Sequence, residues 1–386
     1  MKILFVGDES NYHVALAKGL RRLGHDTVIA SAGGGCLDSE RDVNLCRGNG
    51  LGGALAYAGR VLWALREMRG FDVVHVVCPI FLSFRPPLVQ MAFEYLCRNN
   101  GSVYLSAIGN DPTFYKACID GNIFDYSELR LGHEPTDYVR SHEFVGHDGW
   151  LKPHMMRLHQ VQLQKSRGVM ACLYEYYKAY NFAHPEVRLG YGGIPIDTKE
   201  VEPRPITETP KKVRFMLGQR KGHILLKGAD KLNEAMVRLR EAYPDKCEFD
   251  VVQDVPYTDY LQRLGRCDVL LDQLYSYTPA TSALLAMAQG KVAVSGGEEE
   301  FYEFIGERDL RPVVNVSPLS ADDVYKKLEH LVLHPEVLPA LSAQSMEFVR
   351  KHNDCEVVAR RHVEFWENTM VKWQISRYLS PQWACA

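Results

Sequence analysis

Short runs of apolar residues alternate along the chain with longer segments of helical periodicity. The first run, at residues 3–6, ends in Gly7, and a segment with one apolar face follows it as far as Gly24. A second apolar run lies at 27–30. A strand, a helix and a second strand in this order require parallel pairing and a right-handed crossover.

The same alternation continues through most of the chain. It predicts further strands at 72–78, 102–108, 168–173, 186–190, 213–217, 248–252, 268–274, 291–294 and 312–316. It predicts helices at 54–69, 86–99, 152–167, 174–181, 228–242, 257–265, 279–289, 320–333, 335–351 and 355–375. Strands that are apolar throughout are buried on both faces, which is typical of a doubly wound α/β fold with a parallel sheet.

One segment interrupts the alternation near the middle of the chain. Residues 194–212 hold four prolines among mixed charges, which suits a linker better than a core. We therefore predict a Rossmann-like domain over 1–193, a linker over 194–212, a second Rossmann-like domain over 213–354 and a C-terminal helical segment over 355–386.

Two long polar segments depart from the pattern inside the first domain. Residues 32–52 are rich in glycine and charge, and residues 109–150 show little periodicity. Loops of this length in a compact domain are usually functional or mobile. Both follow predicted strand ends, where open α/β sheets bind ligands.

Composition narrows the function classes. The chain has 386 residues, a net charge of -3 and no strongly basic region, so we do not expect a nucleic-acid partner. No apolar stretch is long enough to cross a membrane, and the N-terminus reads as a strand and not as a signal peptide. Ten scattered cysteines without a C-x-x-C pair suit the reducing cytoplasm.

The first strand–helix turn does not predict dinucleotide binding. The turn at Gly7, Asp8 and Glu9 has one glycine where the dinucleotide fingerprint needs three, and its two carboxylates would repel a phosphate. Gly7 itself is kept as a candidate position beside a bound donor.

A better anion site follows the first strand of the second domain. Arg220 and Lys221 come directly after strand 213–217, and Lys227 stands where the next helix is predicted to open. Cationic side chains and free backbone N–H groups then converge on one place, as in phosphate sites. The alternative is a solvated basic turn.

A second anion site is predicted after strand 268–274. Thr278 suits the N-cap and Pro279 the first turn of helix 279–289, so Tyr277, Thr278 and Ala280 become candidate donor-binding positions. Further on, Glu298 and Glu300 follow a strand and a Gly-Gly pair, where a carboxylate could bond ribose hydroxyls. The alternative is an exposed acidic turn.

These motifs resemble a GT-B glycosyltransferase, and in detail family 4 of the retaining enzymes. The family's arginine and Lys-Gly phosphate motif is matched by Arg220 or Lys221 with Lys227 and Gly228. Its E-A-M-A-x-G-x-P-V helix is similar to residues 285–293, its N-G-V-D turn to 193–197, and its C-terminal helix, which crosses back to the first domain, to 355–375. The resemblance implies two Rossmann-like domains facing across a cleft.

The chain departs from this family at two positions. The family's two glutamates, eight positions apart, would fall on Tyr277 and Leu285, and neither is acidic. Glu298 and Glu300 are the candidate replacements. In the first domain, Gly109 and Asp111 end a strand where family members often carry a sugar-facing histidine; the alternative for Asp111 is a turn before Pro112.

The resemblance implies transfer of a sugar from a UDP- or GDP-sugar donor to a saccharide or lipid-linked acceptor, in polysaccharide or glycoconjugate synthesis. It also implies retention of configuration, with Asp111, Arg220 and Lys227 as catalytic candidates. No D-x-D motif occurs, and neither His142 with His147 nor His154 with His159 has the i, i+4 spacing of a zinc-binding helix, so we expect neither a metal nor another cofactor.

Two rival functions stay open. One is a catalytically inactive nucleotide-sugar-binding protein, and the other is a nucleotide-sugar epimerase on the same fold. Peripheral association with the inner membrane face is also considered, because such acceptors are often lipid-linked, although the sequence shows no strongly basic amphipathic helix.

Overall fold

The computed structural model describes residues 1–33, 39–144, 147–320 and 322–379. The strands are β1 (Lys2–Val6), β2 (Asp26–Ser31), β3 (Val43–Asn44), β4 (Val73–Val77), β5 (Ser102–Ala107), β6 (Arg130–Leu131), β7 (Glu134–Pro135), β8 (Val169–Ala171), β9 (Leu189–Tyr191), β10 (Val213–Gln219), β11 (Cys247–Gln253), β12 (Val269–Leu271), β13 (Val292–Ser295) and β14 (Val314–Asn315).

The α-helices are α1 (Tyr12–Arg22), α2 (Gly50–Glu67), α3 (Pro86–Asn99), α4 (Pro112–Asp120), α5 (Asp137–Arg140), α6 (Pro153–Lys165), α7 (Tyr174–Ala183), α8 (Ile224–Lys227), α9 (Ala229–Ala242), α10 (Tyr257–Arg266), α11 (Thr281–Ala288), α12 (Glu299–Ile305), α13 (Asp323–Leu333), α14 (Leu338–His352) and α15 (Cys355–Leu379). Short 3-10 helices lie at His142–Phe144, His147–Leu151 and Pro335–Val337.

Two separate parallel sheets organise the chain. The first has the order β3-β2-β1-β4-β5-β8-β9, and the second has the order β11-β10-β12-β13-β14. Every pair of neighbouring strands in both sheets is parallel. The doubly wound architecture expected from the alternation is therefore confirmed, because each central strand is covered by helices on both faces.

Each sheet has a point where the strand order reverses. In the first sheet it lies between β1 and β4, and in the second between β10 and β12. The loops that leave two such strands diverge to opposite faces and open a crevice at the carboxyl edge of the sheet, where ligands bind in this architecture. The cationic turn and the acidic first turn noted in the sequence follow β10 and β1 respectively.

The C-terminal helix α15 returns to the first sheet. Trp366 is fully buried, and the Tyr104 hydroxyl of β5 lies 2.7 Å from Thr369 Oγ1. The backbone of Cys355 comes so close to Gly19 of α1 that a Cβ there would stand 2.2 Å from its carbonyl oxygen. Helix α15 therefore packs on the domain formed by the first sheet. The domain boundaries at 193, 212 and 354 stay predictions.

Residues 109–150 are more ordered than the sequence pattern predicted. The segment contains α4, the antiparallel pair β6–β7, the short helix α5 and two 3-10 helices. Its elements are too short for periodicity to reveal, and Asp111 begins α4 through its side chain. A part of the other long segment, residues 34–38, lies outside the described residues.

Helix α2 presents large apolar side chains to solvent. Leu51 is 87% exposed and Leu55 75% exposed, and Leu62 and Trp63 are also more than half exposed. Its opposite side packs into the core through Tyr57, Val61 and Ala64. The sequence pattern predicted a helix here but not this outward apolar face.

Candidate active site between the two sheets

The cationic turn of the second domain lies at the reversal point of its sheet. Arg220 and Lys221 leave the end of β10 and are exposed. Lys227 does not open the long helix as predicted, since it is the last residue of the separate four-residue helix α8. Gly228, with φ +68, then joins α8 to α9, a left-handed conformation that disfavours a side chain.

Lys227 meets the neighbouring strand across the reversal point. Its Nζ lies 3.8 Å from Oδ1 of Asp272, the residue after β12. The Asp272 side chain is almost completely buried, while that of Lys227 is 40% exposed. Burial raises the pKa of Asp272 and the Lys227 ammonium opposes that rise. Because the Lys227 side chain is partly exposed, its ammonium can bind a second anion on the side away from Asp272.

The first domain places carboxylates opposite these cations. Loss of solvation raises the pKa of Glu128 to about 7, against a hydrogen bond with Asn110 and the charge of Lys227. Loss of solvation and the adjacent Asp8 raise the pKa of Glu9, and the Arg220 guanidinium lowers it. Lys227 and Arg220 therefore each act electrostatically on a carboxylate from the other domain.

Glu128 was missed by sequence reasoning. It lies between β6 and the preceding turn, inside the segment whose short elements carry no readable period. A carboxyl group with a pKa near neutrality that lies beside a cation is a candidate for proton transfer or charge compensation. Glu128 becomes a candidate only through its electrostatic interaction with Lys227, which lies a hundred residues away in sequence.

The segment before α11 is held by a buried glutamate of the first domain. Glu175 of α7 accepts hydrogen bonds from the backbone N–H groups of Tyr277 (2.7 Å) and Thr278 (3.0 Å) and from the Thr278 hydroxyl (2.7 Å). Burial raises the pKa of Glu175, and these hydrogen bonds oppose the rise. Glu175 was not predicted, because its partners lie a hundred residues downstream.

The predicted N-cap at Thr278 is wrong. Helix α11 begins at Thr281 with Ala280 at the N-cap, and no side chain caps it. The Thr278 hydroxyl is used instead by Glu175. Pro279 accordingly precedes the helix and does not occupy its first turn.

Tyr277, one of the two positions where the resemblance expects a glutamate, contacts the first domain. Its hydroxyl accepts hydrogen bonds from the backbone of Asp125 (2.9 Å) and Tyr126 (3.3 Å). Its ring stacks on Tyr126 with centroids 4.5 Å apart. Leu285, the other position, is a partly buried residue packed in the second domain.

Glu298 and Glu300 also have partners in the first domain. Glu298 accepts a hydrogen bond of 2.7 Å from the Tyr126 hydroxyl. Glu300 forms an ion pair of 2.6 Å with Lys178 and accepts a bond from the Tyr174 hydroxyl. Gly296 is required just before them, because a Cβ there would lie 1.9 Å from the Ser276 carbonyl oxygen.

Asp111 is fully buried at the N-terminus of α4. Its Oδ1 accepts the backbone N–H groups of Thr113 and Phe114, and its Oδ2 accepts the Tyr180 hydroxyl at 2.8 Å. The turn before Pro112, the alternative reading, is thus present. Burial raises the pKa of Asp111 to about 6. Its contact with a donor sugar stays a prediction.

Gly7 directly follows β1 and Gly109 lies just beyond β5, both in the left-handed region, with φ +82 and +73. A Cβ at Gly7 would crowd Val77 at 3.2 Å, whereas one at Gly109 would meet open space. Gly7 precedes the turn that carries Glu9, and Gly109 adjoins Asn110, the hydrogen-bond partner of Glu128, so both glycines lie near the carboxylates on which Arg220 and Lys227 act. Among the described residues, no group of three or more His, Cys, Asp or Glu is arranged to hold a metal ion.

No protein-family model and no curated protein sequence matches the chain. Its structure, in contrast, is similar to several solved structures over nearly its whole length. Sucrose-phosphate synthase from Thermosynechococcus elongatus has a TM-score of 0.61 at 12% identity, with 96% of this chain and 100% of that chain covered.

Two further structures extend this comparison. Anabaena HepE, in complex with UDP and glucose, has a TM-score of 0.57 at 12% identity, covering 95% of this chain and 100% of its own. A protein assigned as a UDP-N-acetylglucosamine 2-epimerase from Listeria monocytogenes has a TM-score of 0.53 at 11% identity, covering 100% and 99%. The chain therefore has the GT-B fold of two Rossmann-like domains.

Proposed function

We propose that the protein transfers a sugar from a nucleotide diphosphate sugar to a saccharide or lipid-linked acceptor. The observation that carries the proposal is the position of Arg220 and Lys227 at the reversal point of the second sheet, each acting on a carboxylate of the first domain. A diphosphate between them would receive both positive charges. Structures of this fold include a complex with UDP and glucose.

The catalytic effect would be electrostatic. As the bond between sugar and diphosphate breaks, negative charge grows on the leaving group, and Lys227 and Arg220 would stabilise it. A fixed ammonium beside the buried Asp272 costs little reorganisation at that moment. We propose a UDP- or GDP-sugar as donor, with retention of configuration and no metal, as in the family 4 enzymes that the motifs resemble.

Glu128 is proposed to serve the acceptor side of the reaction. It belongs to the first domain, faces Lys227 and changes its protonation near neutral pH because its pKa lies at about 7. A carboxyl group of this kind can accept a proton from an attacking hydroxyl or donate a hydrogen bond to a phosphate oxygen. The contacts of Asp111 make it a positioning residue for the α4 loop.

Two alternatives rest on particular observations. The non-acidic residues Tyr277 and Leu285 favour a nucleotide-sugar-binding protein without catalysis, because a tyrosine and a leucine cannot replace the charge of two glutamates. The likeness to a UDP-N-acetylglucosamine 2-epimerase favours an epimerase. Each predicts a different product from the same incubation.

The test is incubation with a panel of UDP- and GDP-sugars and saccharide or lipid-phosphate acceptors, followed by mass spectrometry and chromatography. A transferase yields an acceptor heavier by one sugar residue. An epimerase converts the donor without any acceptor and without a change of mass. Donor binding with neither product across the panel would overturn the transferase proposal in favour of the binding protein.

We further propose that the protein works in the cytoplasm at an anionic membrane surface, in polysaccharide or glycoconjugate synthesis. No helix among the described residues is long and apolar enough to span a membrane. Helix α2, however, exposes Leu51, Leu55, Leu62 and Trp63 and carries Arg60 and Arg66 against the single acidic residue Glu67. Apolar side chains beside arginines match the headgroup boundary of an anionic bilayer.

Vesicle flotation tests this surface. We expect the protein to float with phosphatidylglycerol vesicles, and Leu55→Glu with Trp63→Glu to lower the bound fraction about tenfold. Val237→Glu, at an exposed apolar position of α9, is the matched control. Equal flotation of the α2 variant and the control, or concentration-dependent dimerisation lost only in the α2 variant, would refute the membrane assignment.

A further inference from the structure

A large cavity lies on the helical flank of the first domain. Its volume is about 1070 Å³; it is open to solvent on one side and is lined by α4, by α6 with the turn that follows it, and by the segment from the end of α7 to β9. All of its lining residues fall between 112 and 188, so the second domain does not contribute to it. None of Arg220, Lys227 and Glu128 touches it. It is a separate compartment, of a size that holds a complete small-molecule ligand.

Positive charge predominates in this cavity. Four cationic side chains line it, from Lys116, Arg157, Arg167 and Arg188, against two carboxylates, Asp120 and Glu186. Of the two carboxylates, that of Glu186 lies 3.7 Å from Nδ1 of His184. Arg188 donates a hydrogen bond to the Thr369 carbonyl of α15.

Lys116 and Arg157 remain available to a ligand. Lys116 projects from α4 and Arg157 from α6, and both are exposed and form no ion pair with any described residue. Cations placed on two walls of one cavity can grip an anion between them, as single surface lysines cannot.

The same cavity carries apolar surface. Met156 and Phe182 stand 46% and 61% exposed at its opening, although side chains of their size are normally buried. Ile123, Leu163 and Val187 continue the apolar lining. A purely ionic ligand such as free phosphate would leave this surface in water, whereas a ligand with an alkyl chain would cover it.

The floor of the cavity is a fixed polar network. Thr113 Oγ1 lies 2.8 Å from Nε2 of both His159 and His184, and His159 Nδ1 lies 3.1 Å from Cys78 Sγ. Thr113 is also held through its backbone by Asp111. Because these hydrogen bonds hold the floor in place, we expect the cavity to be formed before a ligand binds, which lowers the entropic cost of binding.

We propose that this cavity binds an anionic amphiphile, a phosphate-bearing molecule with an alkyl chain, held by Lys116 and Arg157 at its head and by Met156, Leu163 and Phe182 along its chain. The site is distinct from the cleft between the sheets and does not depend on the proposed transferase activity. It connects with the cleft through α4, because Asp111 adjoins Asn110, the partner of Glu128.

Calorimetric titration with decyl phosphate below its micelle-forming concentration tests the proposal. We expect saturable binding of one molecule per chain, and binding at least about tenfold weaker for inorganic phosphate and for the neutral decyl maltoside. Arg157→Glu and Lys116→Glu are each expected to weaken decyl phosphate about tenfold, since each removes a charge-assisted contact and adds repulsion. Phe182→Ser should weaken decyl phosphate but not inorganic phosphate.

The matched control is Lys327→Glu, an exposed lysine on α13 of the second domain, which should bind as the wild type does. Thermal melting of each variant verifies its fold, and Phe182→Ser keeps the test valid if a charge reversal unfolds the chain. The proposal is overturned if a folded wild type shows no saturable binding, or if Lys327→Glu loses as much affinity as Arg157→Glu. Equal affinity for inorganic phosphate and decyl phosphate would also overturn it.

Discussion

The turn that carries Arg220, Lys221 and Lys227 and the stretch that carries Glu298 and Glu300 were predicted as donor sites by the same reasoning. Both follow buried parallel strands of the second sheet. The structure leaves Arg220 and Lys221 exposed and the Lys227 side chain 40% exposed, with the ion pair of Lys227 formed to Asp272 inside the second domain. It gives both glutamates partners in the first domain.

The difference teaches that a strand end predicts where a side chain lies but not whether it is available. A polar group at the carboxyl edge can bind a ligand or join the facing domain, and the choice depends on residues far away in sequence. For Glu298 the distant partner is the Tyr126 hydroxyl, and for Glu300 the partners are Tyr174 and Lys178. We infer that the cations serve the donor and that the 277–300 region chiefly joins the domains.

The largest expected effect comes from removing the cations. Lys227→Ala and Arg220→Ala should each lower turnover about 10²–10³-fold, because charge on the leaving diphosphate loses a fixed counter-charge. Steady-state kinetics with the donor identified by the panel measures this. Lys211→Ala, an exposed lysine before β10, is the matched control and should keep the wild-type rate. Wild-type turnover in both cation variants would remove the proposed donor site.

The next largest effect concerns the contact between the domains at Glu175. Glu175→Ala should lower stability by about 2 kcal/mol, because the N–H groups of Tyr277 and Thr278 lose their acceptor in a buried place. The urea midpoint reports it. Glu303→Ala, an exposed glutamate of α12, should change stability by less than about 0.5 kcal/mol. Equal effects would mean that Glu175 has no special structural role.

Glu300→Gln separates the two readings of the acidic stretch. If Glu300 joins the domains, the variant loses about 1 kcal/mol of stability or less, since its ion pair with Lys178 is partly exposed to solvent. Its affinity for the donor nucleotide then stays within about threefold of wild type. A loss of affinity of tenfold or more at unchanged stability would instead support the donor-binding prediction.

The smallest expected effect is the uptake of protons when the donor nucleotide binds. A bound diphosphate adds negative charge beside Lys227, which raises the pKa of Glu128 above about 7. The bound state therefore holds more protons, and binding at pH 7 should take up no more than about half a proton at this site. Calorimetry in two buffers of different ionisation enthalpy measures the uptake. Glu128→Gln should lose it, and an unchanged uptake in that variant would assign the proton elsewhere.

Most of the architecture could be predicted from sequence because its signals are local. Mostly apolar runs such as 73–77 and 102–107 identify buried parallel strands. The predicted helix over 86–99 has the same bounds as α3. These features depend on neighbours a few residues apart.

The site resisted prediction where it depends on distant partners. Thr278 suited an N-cap locally, yet its hydroxyl donates to Glu175, and the helix begins at Thr281 instead of the predicted 279. Glu128 lies among elements of two to nine residues, which are too short to show a period. Asp111 was predicted to end a strand, but it lies beyond β5 as the N-cap of α4, where its carboxylate accepts a hydrogen bond from Tyr180 of another helix. Contacts between domains leave no local pattern.

The central claim is that Lys227 and Arg220 hold a nucleoside diphosphate between the two sheets. Calorimetric titration of the wild type, Lys227→Ala and Lys211→Ala with UDP, GDP and ADP tests it most directly. We expect at least one nucleotide to bind the wild type and the Lys211 control equally, and to bind Lys227→Ala about tenfold or more weakly. Absence of binding by all three nucleotides at millimolar concentration, or equal affinity in Lys227→Ala, would contradict the claim.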